Sequence, residues 1–249
     1  MKNIQKYVTR IAAAAVIGGS MAATTGQAAM YTVTDLGTLG GISSIGNGVN
    51  NIGQVAGSSQ TTPGQTHAFF YDGTNMNDLG TLGGNTSLGY DINDSGQVTG
   101  YSRTGSSPEH AFYYDGALMN DLGTLGGTSS FGFGLSNDGQ SVGYSYISNG
   151  ALNAYVWNDT DGMLNLNDLI DTNDPLYGSF LLTIASGISD NGNFITGLGI
   201  IGGENHAFLL EATAVSTVPL PASLPLFLSG MAGIGLLRRR KHKAQSRAG

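Results

Sequence analysis

An internal repeat constrains this chain more than any other feature. The heptapeptide Asp-Leu-Gly-Thr-Leu-Gly-Gly begins at Asp35, Asp78 and Asp121, an interval of 43 residues. The triplet His-Ala-Phe stands at His67 and His110, becomes Asn153-Ala154-Tyr155, and returns at His206 after a longer interval of 53. Between these, an apolar residue, a polar turn and Gly-Gln or Gly-Asn recur at Val49–Gln54, Ile92–Gln97, Leu135–Gln140 and Ile188–Asn193. Self-similarity at such a period marks an architecture of stacked units, each burying its apolar face on its neighbours.

The local pattern inside a unit is that of strands. Each polar turn places Asn or Asp beside a Gly able to take positive φ, and a short strand such as Gln54–Ser58 or Gln97–Ser102 follows, which reads as a β-hairpin. The next strand, at His67, His110, Asn153 and His206, carries large apolar residues at adjacent positions, so both its faces are expected to be buried. With the strand before the turn and the Asn-Asp-Leu-Gly strand, a unit holds about four short strands, the inventory of a propeller blade. Four units run from Ile42 to Val215; the fourth lacks its own Asp-Leu-Gly strand, whereas Tyr31–Leu39 supplies an unpartnered one. This predicts an all-β repeat domain over residues 31–215, a four-bladed β-propeller closed by the N-terminal strand, which removes free sheet edges. An open β-solenoid is the alternative.

The two ends read as targeting segments. Residues 1–28 have a basic start (Lys2, Lys6, Arg10), an apolar run from Ile11 to Ala23 and small residues before the mature start, the pattern of a secretory signal peptide. Cleavage after Ala28 sets Gly26 and Ala28 at the small-residue positions; cleavage after Ala29 would set Gln27 at one of them. An N-terminal anchor is the other reading, but the run is short of the roughly 20 residues a span needs. Residues 216–243 form a tail in which the uncharged stretch Val218–Leu237 is long enough for a transmembrane helix, and Arg238, Arg239, Arg240 and Lys241 follow at once. Basic residues stay cytoplasmic, so the repeat domain is expected outside the membrane.

Charge excludes one class of partner. All 17 acidic residues lie between Asp35 and Glu211, and Arg103 is the one Lys or Arg of the ten that falls in that interval. Nucleic-acid binding, which requires clustered cations, is not expected. The chain contains no cysteine, so no disulfide and no thiol chemistry is available in the oxidising compartment to which it is directed.

The heptapeptide together with His-Ala-Phe resembles the HAF-type extracellular repeat of bacteria, over the whole middle domain. The tail Val218, Pro219, Leu220, Pro221, Ala222 and Ser223, with the apolar span and basic cluster behind it, resembles a PEP-CTERM sorting signal. That motif carries Glu between its prolines, and Leu220 here matches its Val-Pro-Leu-Pro variant. The resemblance implies processing by a membrane exosortase in a Gram-negative, exopolysaccharide-producing bacterium, and release or re-anchoring of the domain at the surface.

Candidate chemistry is sparse. His67, His110 and His206 could form a metal cluster, but equivalent places in different units are held apart, and replacement by Asn153 fits a hydrogen-bonding role at the start of the buried strand. Asp35, Asp78 and Asp121, with Asp168 in a degenerate copy, read as turn caps rather than cation ligands. The loop Asn158–Asp168 is the best calcium candidate, yet with Gly162 as the obligatory glycine the first ligand position falls on Trp157 and the last on Asp168 instead of Glu. Leu39-Gly40-Gly41 and Leu82-Gly83-Gly84 lack the helix or basic residue of a phosphate loop and read as strand-end turns. No catalytic, cofactor or metal residue is assigned. The expectation is a non-enzymatic surface or matrix protein that contacts extracellular polysaccharide through exposed Tyr, Asn, Ser and Thr. A secreted carbohydrate-active enzyme with channel carboxylates and a calcium-dependent adhesive module are the alternatives.

Overall fold

The computed structural model describes residues 30–62, 64–105 and 107–213. The segments expected to be a signal peptide (residues 1–28), a sorting motif (Val218–Ser223), a membrane span (Val218–Leu237) and a basic cluster (Arg238–Lys241) lie outside the described residues. Contacts divide the chain after Asp35, and the architecture below belongs to the unit that starts at Leu36.

That unit is all-β, and each sequence repeat is one antiparallel meander. The first sheet runs β1 (Gly40–Val49), β2 (Val55–Thr61), β3 (Thr66–Tyr71) and β4 (Met76–Asp78). The second comprises β5 (Ser87–Ile92), β6 (Val98–Arg103), β7 (Glu109–Tyr114) and β8 (Met119–Asp121). The third holds β9 (Gly126–Leu135), β10 (Ser141–Ile147), β11 (Leu152–Asn158) and β12 (Gly162–Asn165), and the fourth only β13 (Phe180–Ile188), β14 (Phe194–Ile201) and β15 (Glu204–Glu211). The ten extra residues of the last interval fall between the third and fourth sheets, where a 3-10 turn at Leu166–Leu169 is the one helical element among the described residues. No helix there is long and apolar enough to cross a membrane.

The repeated motifs have repeated jobs. In the β1–β2 turn Asn50 N–H donates to the Gln54 carbonyl at 3.1 Å, and Asn93 to Gln97 and Ser136 to Gln140 repeat the bond at 3.1 and 2.9 Å. Gly53, Gly96 and Gly139 take φ of 81°, 74° and 87°, a region closed to most side chains, which is why Gly recurs at this step. The heptapeptide is the connection from one sheet into the next. Thr81 Oγ1 donates to Gly84 O at 2.9 Å and Leu82 N–H donates to Ser102 Oγ at 2.8 Å; Thr124 with Gly127, and Leu125 with Ser145, do the same at 3.0 and 2.9 Å.

The core lies between sheets. The first strand of each sheet packs across the first three strands of the sheet before it: β5 on β1–β3, β9 on β5–β7, β13 on β9–β11. Ala56, Ala68, Ile92, Val98 and Phe112 fill the first junction; Ala111, Tyr113, Leu122, Leu135 and Tyr155 the second; Val142, Ala154, Val156, Leu182, Ile195 and Phe208 the third. The adjacent large residues of the His-Ala-Phe strands are thus buried in β7 (Phe112, Tyr113) and β11 (Tyr155, Val156), as their pattern predicts, whereas in β3 Phe69 is buried and Phe70 half-buried, and in β15 only Phe208 is buried.

The predicted ring is not closed in this structure. The inner-strand packing that joins β1 to β5, β5 to β9 and β9 to β13 is not repeated between β13 and β1. Residues 31–38, expected as the closing strand, form no strand, and Tyr31 and Val33 are exposed. Ile42, Ile45 and Val49 of β1 therefore stay exposed, and so does Leu209 of β15.

Candidate functional site

Four of the first strands carry a one-residue bulge. Gly46 and Gly48 pair with Gly57 and Ala56, leaving Asn47 extra; Tyr90 and Phe133 are the corresponding extra residues of β5 and β9, and Ser186 is that of β13, where Thr183 is a second. A bulge re-aims the side chain it adds. In the second and third sheets the bulged residue is aromatic, and it meets aromatic residues from the neighbouring strands.

The result is a contiguous aromatic seam where the second and third sheets join. Tyr90 lies 5.9 Å from Tyr101 and 5.3 Å from Phe133, between ring centroids. Tyr101 contacts Phe131 at 4.8 Å, Phe131 stacks on Tyr144 at 4.9 Å, and Tyr144 touches Phe133 and Tyr146 at 5.6 and 6.2 Å. All six rings are half-buried, so each gives one part of its surface to the protein and another to solvent. Burial holds the phenols of Tyr90, Tyr101 and Tyr144 above their ordinary range, and nearby Glu109 pushes Tyr101 and Tyr144 the same way, so all three are neutral donors. At the rim Arg103 Nε donates to Glu109 Oε1 at 3.1 Å.

These residues were not singled out by the sequence reading, which named exposed Tyr only as a class. The signal was present in the repeat: Tyr90 and Phe133, and Tyr101 and Tyr144, are one period apart, whereas the first unit has Asn47 and Ser58 there. What made it illegible is that contact between rings on different sheets depends on the bulge and on the packing angle.

The residues singled out from sequence have structural surroundings. His67 Nδ1 lies 2.9 Å from both carboxylate oxygens of Asp78, and His110 Nδ1 2.9 Å from both of Asp121. Each aspartate also accepts a 2.8 Å bond from a backbone N–H two residues on, at Gly80 and Gly123, which is the expected turn cap. Histidine and aspartate of one unit, read separately from sequence, are thus one pair that ties the third strand to the fourth. His206 is exposed and, among the described residues, its ring has Glu204 as its partner, at 4.0 Å. Asp168 is not the counterpart of Asp78 and Asp121: register places Asn165 opposite Tyr155, where Asp78 faces Phe69, and Asn165 Oδ1 caps Asn167 N–H at 3.0 Å. The insertion carries Asp168 into the 3-10 turn.

The Asn158–Asp168 loop is a tight hairpin in which Asn158 Oδ1 accepts from Thr160 and Asp161 N–H at 2.9 and 2.8 Å. No group of three or more His, Asp or Glu that could hold a metal ion occurs among the described residues. A cleft of about 600 Å³ beside the open edge of the fourth sheet includes Asp171, Asp174 and Glu211 in its lining. Asn173 N–H bonds hold the Asp171 carboxyl below its ordinary range, which makes it a poor proton donor. Comparison with family models, with characterised proteins and with solved structures finds no match to this chain.

Proposed function

We propose that this chain is an exported, non-enzymatic cell-surface or matrix protein that binds a neutral extracellular polysaccharide on the aromatic seam and is processed by an exosortase at its C-terminal sorting signal. The observation that carries the binding reading is the contiguity of six half-exposed rings, Tyr90, Tyr101, Phe131, Phe133, Tyr144 and Tyr146, across two sheets. Exposed aromatic clusters of this kind mark interaction surfaces, and sugar C–H edges pack on aromatic faces while neutral phenols offer hydrogen bonds. The 17 carboxylates of the domain repel acidic polymers, which favours an uncharged chain. Export and sorting rest on the sequence of the two ends. Blade architecture belongs to the same reading: meanders packed through their first strands are the units of propellers, here left as an open array.

Retention of the full chain in native gels cast with a neutral β-glucan, against gels cast with a polyuronate, tests the binding. Tyr101→Ala and Tyr144→Ala are each expected to weaken retention about tenfold, equivalent to about 1.4 kcal/mol; retention unchanged in both variants, or absent for every polymer, sinks the reading. For sorting, intact mass of surface-released protein is compared between an exosortase-competent host and a deficient strain. Loss of the tail near Pro219–Ser223 in the competent strain alone is expected, and an intact tail in both contradicts the sorting claim.

A further inference from the structure

The packing of a first strand across the sheet before it is made three times, with side-chain ties that recur at the first two junctions, and both halves of that packing are left open at the ends of the array. Along the turns, Asn50 Nδ2 donates to Asn93 O and Asn93 Nδ2 to Ser136 O, each at 2.9 Å. Beside them Asn51 N–H and Nδ2 donate to the Asp94 carboxylate at 3.0 and 2.9 Å, Asp94 N–H donates to Asn137 Oδ1 at 2.9 Å, and Asn137 N–H donates to Asp190 O at 2.8 Å. At the strand level Ser87 Oγ accepts Ala68 N–H and Ser130 Oγ accepts Ala111 N–H, both at 2.8 Å.

The ends present the complementary halves. Ala68, Ala111 and Ala154 are fully buried by the following sheet, whereas Ala207, in the same place on β15, is exposed. Ile92 and Leu135 are 5% and 4% exposed, whereas Val49, their counterpart on β1, is 68% exposed. Leu209 is 68% exposed where Val156 is 7%.

We propose that a second copy of this chain occupies the open face of the fourth sheet with its own first sheet, repeating the internal junction between molecules. Two observations select this occupant and orientation. Among the described residues, the strands equivalent to β15, namely β3, β7 and β11, are each packed by the first strand of the next sheet. The exposed turn residues Asn51, Asp94, Asn137 and Asp190 alternate amide and carboxylate, so a second copy's Asn51 beside Asp190 continues the order, while two fourth sheets meeting would set carboxylate against carboxylate. Such a contact is heterologous, and it propagates into a filament or closes into a multi-chain ring.

The chain has no cysteine, so introduced thiols are unique. Asn51→Cys and Asp190→Cys are made separately in the full chain, purified in mild detergent, mixed, and treated with a short bifunctional thiol cross-linker; Asn51→Cys with Asp94→Cys in one chain is the control for reach. The proposal expects a two-chain product from the mixture and not from either variant alone, a ladder of multimers from the double variant Asn51→Cys/Asp190→Cys, and loss of both when Leu209→Glu is added with the circular dichroism unchanged. Products from one variant alone mean a two-fold contact and overturn it. A double variant that cross-links only within single chains means ring closure and overturns it. A control that reacts while mixture and double variant do not means another segment, such as residues 214–249, covers the face, and this overturns it too.

Discussion

A glycine on the second strand of each sheet sits where no side chain fits. Gly57, Gly100, Gly143 and Gly197 lie directly opposite Phe69, Phe112, Tyr155 and Phe208. A Cβ on Gly100 would collide with the Leu88 carbonyl oxygen and press on the Phe112 ring. The aromatic ring covers the glycine, and the bulged first strand closes over it. Gly100→Ala is therefore expected to destabilise by about 3 kcal/mol, read from the denaturant midpoint; a loss below about 0.5 kcal/mol would show that the strand relaxes freely. Tyr155 tests a different term at the same position. It is fully buried, with its hydroxyl 3.5 Å from Ser141 Oγ, and burial pushes its phenol far above the ordinary range. A raised folded-state pKa means that stability is fully present below the unfolded value, about 10, and is lost as pH rises beyond it. Tyr155→Phe, which installs the residue already used at Phe69 and Phe112, is expected to cost under about 1 kcal/mol at neutral pH and to shift the alkaline unfolding midpoint upward. An unshifted alkaline midpoint would locate the sensitivity elsewhere.

At the scale of the element, the meander is fastened at its outer strand by the histidine–aspartate pair. Asp121 accepts from Gly123 N–H and faces His110 Nδ1, so Asp121→Ala removes a turn cap and the tie between β7 and β8 together. The expected cost is about 1–2 kcal/mol in thermal or denaturant unfolding, with Asp78→Ala matching it because the geometry in the first sheet is the same. Unequal costs would mean that the pair depends on its neighbours. The third sheet manages with Asn153 and Asn165, and the cap alone persists there. The bulge is the other element-scale device, and it decides where the seam is: Tyr90 and Phe133 reach their neighbours because the strand is kinked at those residues.

At the scale of the whole molecule, stability is a sum over junctions rather than one central core, as expected for a repeat array. Asp94 links the first, second and third turns, while the first and fourth sheets each have a junction on one side only. Hydrogen exchange should accordingly follow a gradient in dilute protein, slowest in β6, β7, β10 and β11 and faster in β2 and β14. Equal protection of interior and terminal sheets at low concentration would mean that the ends are covered within one chain. Protection of the terminal sheets that rises with protein concentration is the behaviour expected of head-to-tail assembly.

The repeat itself determined the number of units, the strand order within each, the hairpin turns and the burial of the His-Ala-Phe strands in the second and third units, because each depends on residues within one 43-residue period. The turn-capping role of Asp78 and Asp121 was legible for the same reason. The pairing of those aspartates with His67 and His110, the replacement of Asp168 by Asn165, the aromatic seam and the open ends were not. Each depends on strand register, on a bulge, or on the angle between sheets, and these are set by packing between units. A periodic sequence specifies the contact that one unit makes with the next; whether the last unit meets the first of the same chain depends on the rotation accumulated over all the junctions, which no single period encodes.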